Sequence, residues 1–145
     1  MIVSQTGKFM KTIYIIDDDR NIVEAMSIVL KAHGYEVAAQ YDEDNVVENL
    51  VAHKPDLVIL DVIFPQNPSA GFDIARQIKN NQATASIPII MLSAINEKGV
   101  YAGTFSNNDR DDAWLPVEEF IEKPIKNNQL LQKVKAVLEK KALGQ

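Results

Sequence analysis

Three short runs of the chain are apolar nearly throughout and rich in β-branched residues: Thr12–Ile16 (TIYII), Asp56–Leu60 (DLVIL) and Ile87–Leu92 (IPIIML). A strand with one wet face would alternate apolar and polar residues. These runs do not, so they read as strands covered on both faces. Glu36–Tyr41 (EVAAQY) and Glu119–Ile121 (EFI) are weaker members of the same series. The stretches between them carry apolar residues at helical spacing. Ile22, Met26, Val29 and Leu30 share one face of Asn21–His33, and Gly34 is a natural stop. Glu43–His53 repeats the pattern with Val46, Val47, Leu50 and Val51, and Phe72–Asn80 with Phe72, Ala75 and Ile78. Asn127–Leu143 shows it most clearly, through Leu130, Leu131, Val134, Val137 and Leu138. Strand–helix alternation in this order predicts an α/β domain with a mainly parallel sheet.

Composition narrows the chemistry. The 145 residues include no cysteine, which excludes disulfides, thiolate catalysis, Cys-ligated zinc and iron–sulfur clusters. Two histidines, His33 and His53, do not suit a multi-histidine metal centre, and each lies beside a helix end whose solvation explains it. A net charge of -5 argues against a dedicated nucleic-acid surface. No apolar run approaches the roughly 18–20 residues that span a bilayer. The opening MIVSQTGKFMK has no continuous apolar core, so no signal peptide is expected and the cytoplasm is the expected location.

The polar residues that matter follow the strands. TIYII ends in Asp17-Asp18-Asp19, DLVIL in Asp61, IPIIML in Ser93, and EFI leads through Glu122 to Lys123-Pro124. In open parallel sheets, ligands bind at the carboxyl ends of the strands. Several carboxylates gathered there repel one another unless a cation joins them. An all-oxygen donor set favours Mg²⁺. A lysine and a small hydroxyl beside it suit a phosphoryl group.

These pieces, IYIIDDDRN, DLVILDVIFP, IIMLSA and FIEKP, occur in order from about Lys11 to Leu143, and the chain resembles the response-regulator receiver domains of two-component signalling. The resemblance implies a doubly wound, flavodoxin-like five-stranded parallel sheet of order 2-1-3-4-5, occupying residues 11–143 after an N-terminal extension of residues 1–10. It implies a signalling module and not an enzyme. Asp61 would be the phosphoacceptor, receiving phosphate from a sensor histidine kinase or phosphotransfer protein. Asp18 and Asp61 would ligate Mg²⁺ directly, with Asp17 assisting, and the backbone carbonyl of Ile63 would be a further ligand. Ser93 would hydrogen-bond the phosphoryl group and Lys123 would pair with it. Phe120 takes the aromatic switch position, Ala94 the small position after the hydroxyl, and the Lys123–Pro124 bond would be cis. Ile63 and Ile95 occupy positions that govern phosphate loss in the family. Both are apolar and branched, which implies a long-lived aspartyl phosphate.

Departures from the family pattern fall in two loops. Pro65 fits, but Gly71 lies ten residues after Asp61, about two more than usual. Ser93 and Lys123 are thirty residues apart, about eight more than usual. The added length falls on the expected fourth helix. Asn96–Glu118 contains GTFSNNDRDD, which is turn chemistry, so that helix is expected to be short or missing, with Trp114 anchoring the loop. Asn96–Glu119 holds six acidic residues against two basic ones. Glu122–Gln145 holds six lysines against two glutamates, and its lysines read as a solvated face. Only a few residues follow the last helix. The expected output is therefore phosphorylation-dependent contact with a downstream protein, without direct DNA binding.

Two rival readings remain. Asp17 and Asp19 fit the nucleophile and acid of a haloacid dehalogenase-like phosphatase, although Asp61 then has no role. Asp19 is otherwise read as the cap of the first helix. The other rival is a degenerate receiver that binds partners without accepting phosphate; the retained polar positions argue against it.

Overall fold

The computed structural model describes residues 10–61, 70–93 and 117–143. In chain order these form β1 (Thr12–Ile16), α1 (Arg20–Ala32), β2 (Glu36–Gln40), α2 (Val46–His53), β3 (Leu57–Asp61), α3 (Ala70–Asn80), β4 (Ile89–Ser93), β5 (Glu119–Glu122) and α4 (Asn127–Leu143). All strand pairs are parallel and the order is β2-β1-β3-β4-β5, as the resemblance implies. The expected helix at Asn96–Glu118, with Trp114 and its acidic cluster, lies outside the described residues except for Val117 and Glu118.

Period-two alternation along the central strands divides one sheet between two cores. Tyr14, Ile16, Val58, Leu60, Ile89 and Met91 face Val46 and Leu50 of α2 and Phe72, Ala75 and Ile78 of α3. Ile13, Ile15, Leu57, Ile59, Ile90 and Leu92 face Val23, Met26 and Leu30 of α1 and Leu130, Val134 and Val137 of α4. Every residue of β3 and β4 is buried, which is why these runs show no polar alternation. β2 lies at one end of the sheet and is only partly buried, matching its weaker pattern.

Helix ends follow local chemistry. Gly34, at φ 93°, closes α1: its N–H reaches the Lys31 carbonyl and that of Tyr35 reaches Leu30. His33 and His53 each donate from Nδ1 to a carbonyl one turn back in their own helices, Val29 and Asn49. The apolar periodicity of Glu43–His53 overstates α2, which starts at Val46. The Asp42 side chain instead accepts the Asp44 N–H, making a turn, and Gln40 Nε2 donates to the carbonyls of Asp42 and Asp44. Buried Gln40 also accepts from Tyr14 Oη at 2.8 Å and from Asn49 Nδ2 at 2.9 Å. This network pins the β2–α2 turn.

Candidate functional site

The carboxyl edge of the sheet is where the chain reverses direction. From β1 it runs outward to β2, then crosses back to β3, leaving a crevice between the ends of β1 and β3. Register brings the polar residues together there. Ile16 pairs with Leu60, so Asp17 and Asp61 follow on adjacent strands. Asp61 pairs with Leu92, so Ser93 lies one step beyond it on β4. Ser93 pairs with Glu122, and its carbonyl accepts the Lys123 N–H at 2.7 Å. The Lys123–Pro124 bond is cis.

Three carboxylates converge. Single oxygens of Asp17, Asp18 and Asp61 lie within 4.8 Å of one another. Asp17 and Asp61 are buried, at 0% and 2% exposure, while Asp18 is open to solvent. Lys123 joins the group from β5, its Nζ 3.1 Å from Asp61 Oδ1 and 3.8 Å from Asp17 Oδ2. Asp17 Oδ1 accepts the Asp19 N–H at 2.9 Å. Its other oxygen, Oδ2, is buried without a hydrogen bond, and so is Ser93 Oγ. Asp19 points elsewhere: its side chain accepts the N–H groups of Asn21 and Ile22 and caps α1. That orientation removes the acid the phosphatase reading requires.

The electrostatics follow from crowding. Burial, with the Asp61 charge beside it, pushes the Asp17 carboxyl up to about 7; the Asp19 N–H and Lys123 oppose this, and Asp18 adds to it. Burial alone would lower the Lys123 value. The charges of Asp61 and Asp17 outweigh it and raise the value above that of an ordinary lysine. A buried carboxylate oxygen without a hydrogen bond, a second buried carboxylate and an exposed third together fit a hard divalent cation. The Ser93 hydroxyl, buried with an unused donor, fits an anionic oxygen.

The sequence-expected residues Asp17, Asp18, Asp61, Ser93 and Lys123 are thus gathered at one edge. Ile63, with Pro65, Ala94 and Ile95, lies outside the described residues. Phe120 is partly buried against the α2–α3 side of the core. Sequence reasoning missed the polar ties around β5. Glu118 accepts the Ile89 N–H at 2.7 Å and pairs with Lys79 at 3.1 Å. The solvated-face reading of the last helix also fails at two lysines. Lys133 donates to the Phe120 carbonyl at 2.9 Å and Lys141 to that of Ser86 at 2.7 Å. Only the length of the lysine stem hinted at this, since it can lie along apolar surface while its head finds a carbonyl.

Comparison with known proteins agrees with this geometry. Residues 13–135 match the family model of the response regulator receiver domain. The chain is 32% identical over 134 residues to the phosphate regulon transcriptional regulatory protein PhoB of Pseudomonas aeruginosa, covering 92% of this chain and 54% of that protein. It is 30% identical over 129 residues to the DNA-binding dual master transcriptional regulator RpaA of Synechocystis sp., covering 89% and 49%. The chain therefore spans about half the length of these curated relatives. A solved response regulator receiver domain protein (CheY-like) from Methanospirillum hungatei superposes with a TM-score of 0.76 at 21% identity, covering 94% of this chain and 99% of that one. That likeness is one of fold.

Proposed function

The chain belongs to the response regulator receiver domain family, and from that premise we propose that it accepts a phosphoryl group on Asp61 from the phosphohistidine of a sensor kinase or phosphotransfer protein, with Mg²⁺ in the acidic pocket. The observation that carries the proposal is the Lys123 ammonium 3.1 Å from Asp61, beside the Asp17–Asp18–Asp61 cluster. An Asp61 carboxylate oxygen forms the new bond to phosphorus as the bond to the donor imidazole nitrogen breaks. The electron pair leaves with that nitrogen. Lys123 holds an oxygen of the transferred group by charge, and the Ser93 hydroxyl donates to another. Asp18 and Asp61 would hold the metal directly, with Asp17 in support and the Ile63 carbonyl as the further ligand that the family resemblance implies. Bound there, Mg²⁺ offsets the charge of carboxylates and phosphoryl oxygens.

The reading is tested by incubation with acetyl phosphate and Mg²⁺, followed by intact mass and mapping of the acyl phosphate. One added phosphoryl group, on Asp61, supports it; no label under conditions that label a known receiver favours the degenerate receiver. Signalling then runs through contact with a downstream protein, in the cytoplasm. No described helix is long and apolar enough to cross a membrane.

Metal dependence has its own test. Mg²⁺ binds the folded pocket and not the unfolded chain, so thermal stability should rise with its concentration. The gain is about 1.4 kcal/mol at ten times Kd. A melting temperature unchanged through millimolar Mg²⁺ would show that the three carboxylates do not form a metal site.

Phosphate lifetime follows from side chains too apolar to orient an attacking water. Ile63→Asn combined with Ile95→Glu should speed dephosphorylation. Equal rates in the double variant and the parent would show that these two side chains do not set the phosphate lifetime.

A further inference from the structure

We propose that Arg20, seated on the ring of Tyr41, is a charge guide beside the acidic pocket: it speeds the approach of a dianionic phosphoryl donor and loosens the hold on Mg²⁺. The first effect rests on Asp61 being the phosphoacceptor; the second needs only a cation among the three carboxylates.

Two acidic triplets follow the carboxyl ends of the first two strands, Asp17-Asp18-Asp19 after β1 and Asp42-Glu43-Asp44 after β2. Arg20 is the one cation in residues 17–20 and 41–45. A phosphoryl donor is itself an anion, so this side of the crevice repels it. Ile16 pairs with Gln40, and the Asp17 N–H reaches the Gln40 carbonyl at 3.2 Å. Tyr41 therefore follows β2 level with Asp17. Arg20 opens α1, two residues after Asp18.

An arginine among aspartates ordinarily pairs with one of them. Arg20 forms no ion pair among the described residues; its guanidinium carbon stands 3.9 Å from the centroid of the Tyr41 ring. The nearest carboxylates in the chain have other work. Asp19 accepts the N–H groups of Asn21 and Ile22, and one oxygen of Asp17 accepts that of Asp19. Tyr41 is partly buried against the α1 side of the core, which makes its ring a fixed seat. A guanidinium stacked on a ring keeps its N–H edge free. The charge is thus held beside the pocket without being neutralised.

The size of the effect follows from distance. Two peptide units span at most about 7 Å, inside the screening length of about 10 Å at 0.1 M ionic strength. At roughly 10 Å in water, a unit charge alters the binding of a divalent ion about threefold and of a monovalent ion less than about twofold. The sign is opposite for Mg²⁺ and for a donor dianion, a pattern that loss of structure does not imitate.

The test uses the full chain at low ionic strength, with Arg20→Gln, Arg20→Lys and Tyr41→Leu. Mg²⁺ affinity is read from the rise of melting temperature with metal. Labelling rates per unit donor are read at saturating Mg²⁺ with acetyl phosphate, a dianion, and with phosphoramidate, a monoanion. Arg20→Gln should bind Mg²⁺ about threefold more tightly and take phosphate from acetyl phosphate about threefold more slowly. With phosphoramidate the slowing should be less than about twofold. Arg20→Lys keeps the charge and should stay nearer the parent in all three. Tyr41→Leu frees the guanidinium to fold onto a carboxylate and should shift all three in the direction of Arg20→Gln. Salt at about 0.5 M should erase the differences.

Unchanged Mg²⁺ affinity in Arg20→Gln would overturn the proposal. So would a joint loss of metal affinity and labelling, or slower labelling that survives high salt. Tyr41→Leu equal to the parent would overturn the role of the seat. A parent that binds Mg²⁺ but takes no label overturns the role of Asp61 alone, and metal affinity then decides that of Arg20. A parent that does neither overturns both.

Discussion

Asp61→Asn is expected to abolish phosphoryl labelling by acetyl phosphate, to background, while leaving the fold intact. The substitution keeps the side chain's size in a position only 2% exposed, so little repacking is needed. What it removes is the anionic oxygen that would attack phosphorus; an amide oxygen is a far weaker nucleophile. It also removes one of two buried carboxylates, so circular dichroism should show native structure and the melting temperature should not fall in metal-free buffer. Lys123 keeps a carboxylate neighbour in Asp17, 3.8 Å away. The comparison with Asp17→Asn is decisive. If that variant loses all labelling while Asp61→Asn retains it, the nucleophile is on β1's side of the crevice and the proposed role of Asp61 is wrong.

Asp17→Asn should stabilise the metal-free protein, and the gain should grow with pH. In the folded protein the Asp17 carboxyl titrates at about 7, raised from 3.8. Below about pH 4 both folded and unfolded chains hold this proton, and ionisation costs nothing. Between about 4 and 7 the unfolded chain releases the proton while the folded chain keeps it, so stability falls as pH rises. Above 7 the loss is complete, at most about 4 kcal/mol. Asparagine avoids that loss and can still accept the Asp19 N–H through its carbonyl oxygen. Urea unfolding in chelator should therefore show the variant ahead by about 2–4 kcal/mol at pH 7.5 and level with the parent near pH 4. A gap that does not change with pH would show that Asp17 ionisation is not its source. Mg²⁺ should narrow the gap at pH 7.5, because it stabilises the parent's carboxylates.

The site was legible because its residues sit at places the chain marks locally. Apolar runs too dense to be half-wet identified β1, β3 and β4, and the residue after each run is one of the gathered polar groups. Asp19 was legible as a cap for the same reason: its partners, Asn21 and Ile22, are two and three residues away. Apolar periodicity failed at the start of α2, where it does not register that Asp42 and Gln40 compete for the backbone of the turn. It was silent on Lys133 and Lys141, because a lysine on a helix looks the same whether its ammonium meets water or a carbonyl thirteen or fifty-five residues away.

By itself, then, the sequence determined the alternation of elements, the two-faced burial of the central strands and the residues delivered to the sheet's carboxyl edge, because each depends on side-chain period and local turn chemistry. Tertiary structure alone decided that Lys123 stands nearer Asp61 than Asp17, that one oxygen of Asp17 is buried without a hydrogen bond, and that Lys133 of the last helix reaches Glu119 and the Phe120 carbonyl of β5. Those facts depend on distances between groups that β pairing and helix packing bring together from distant parts of the chain, and no local period encodes them.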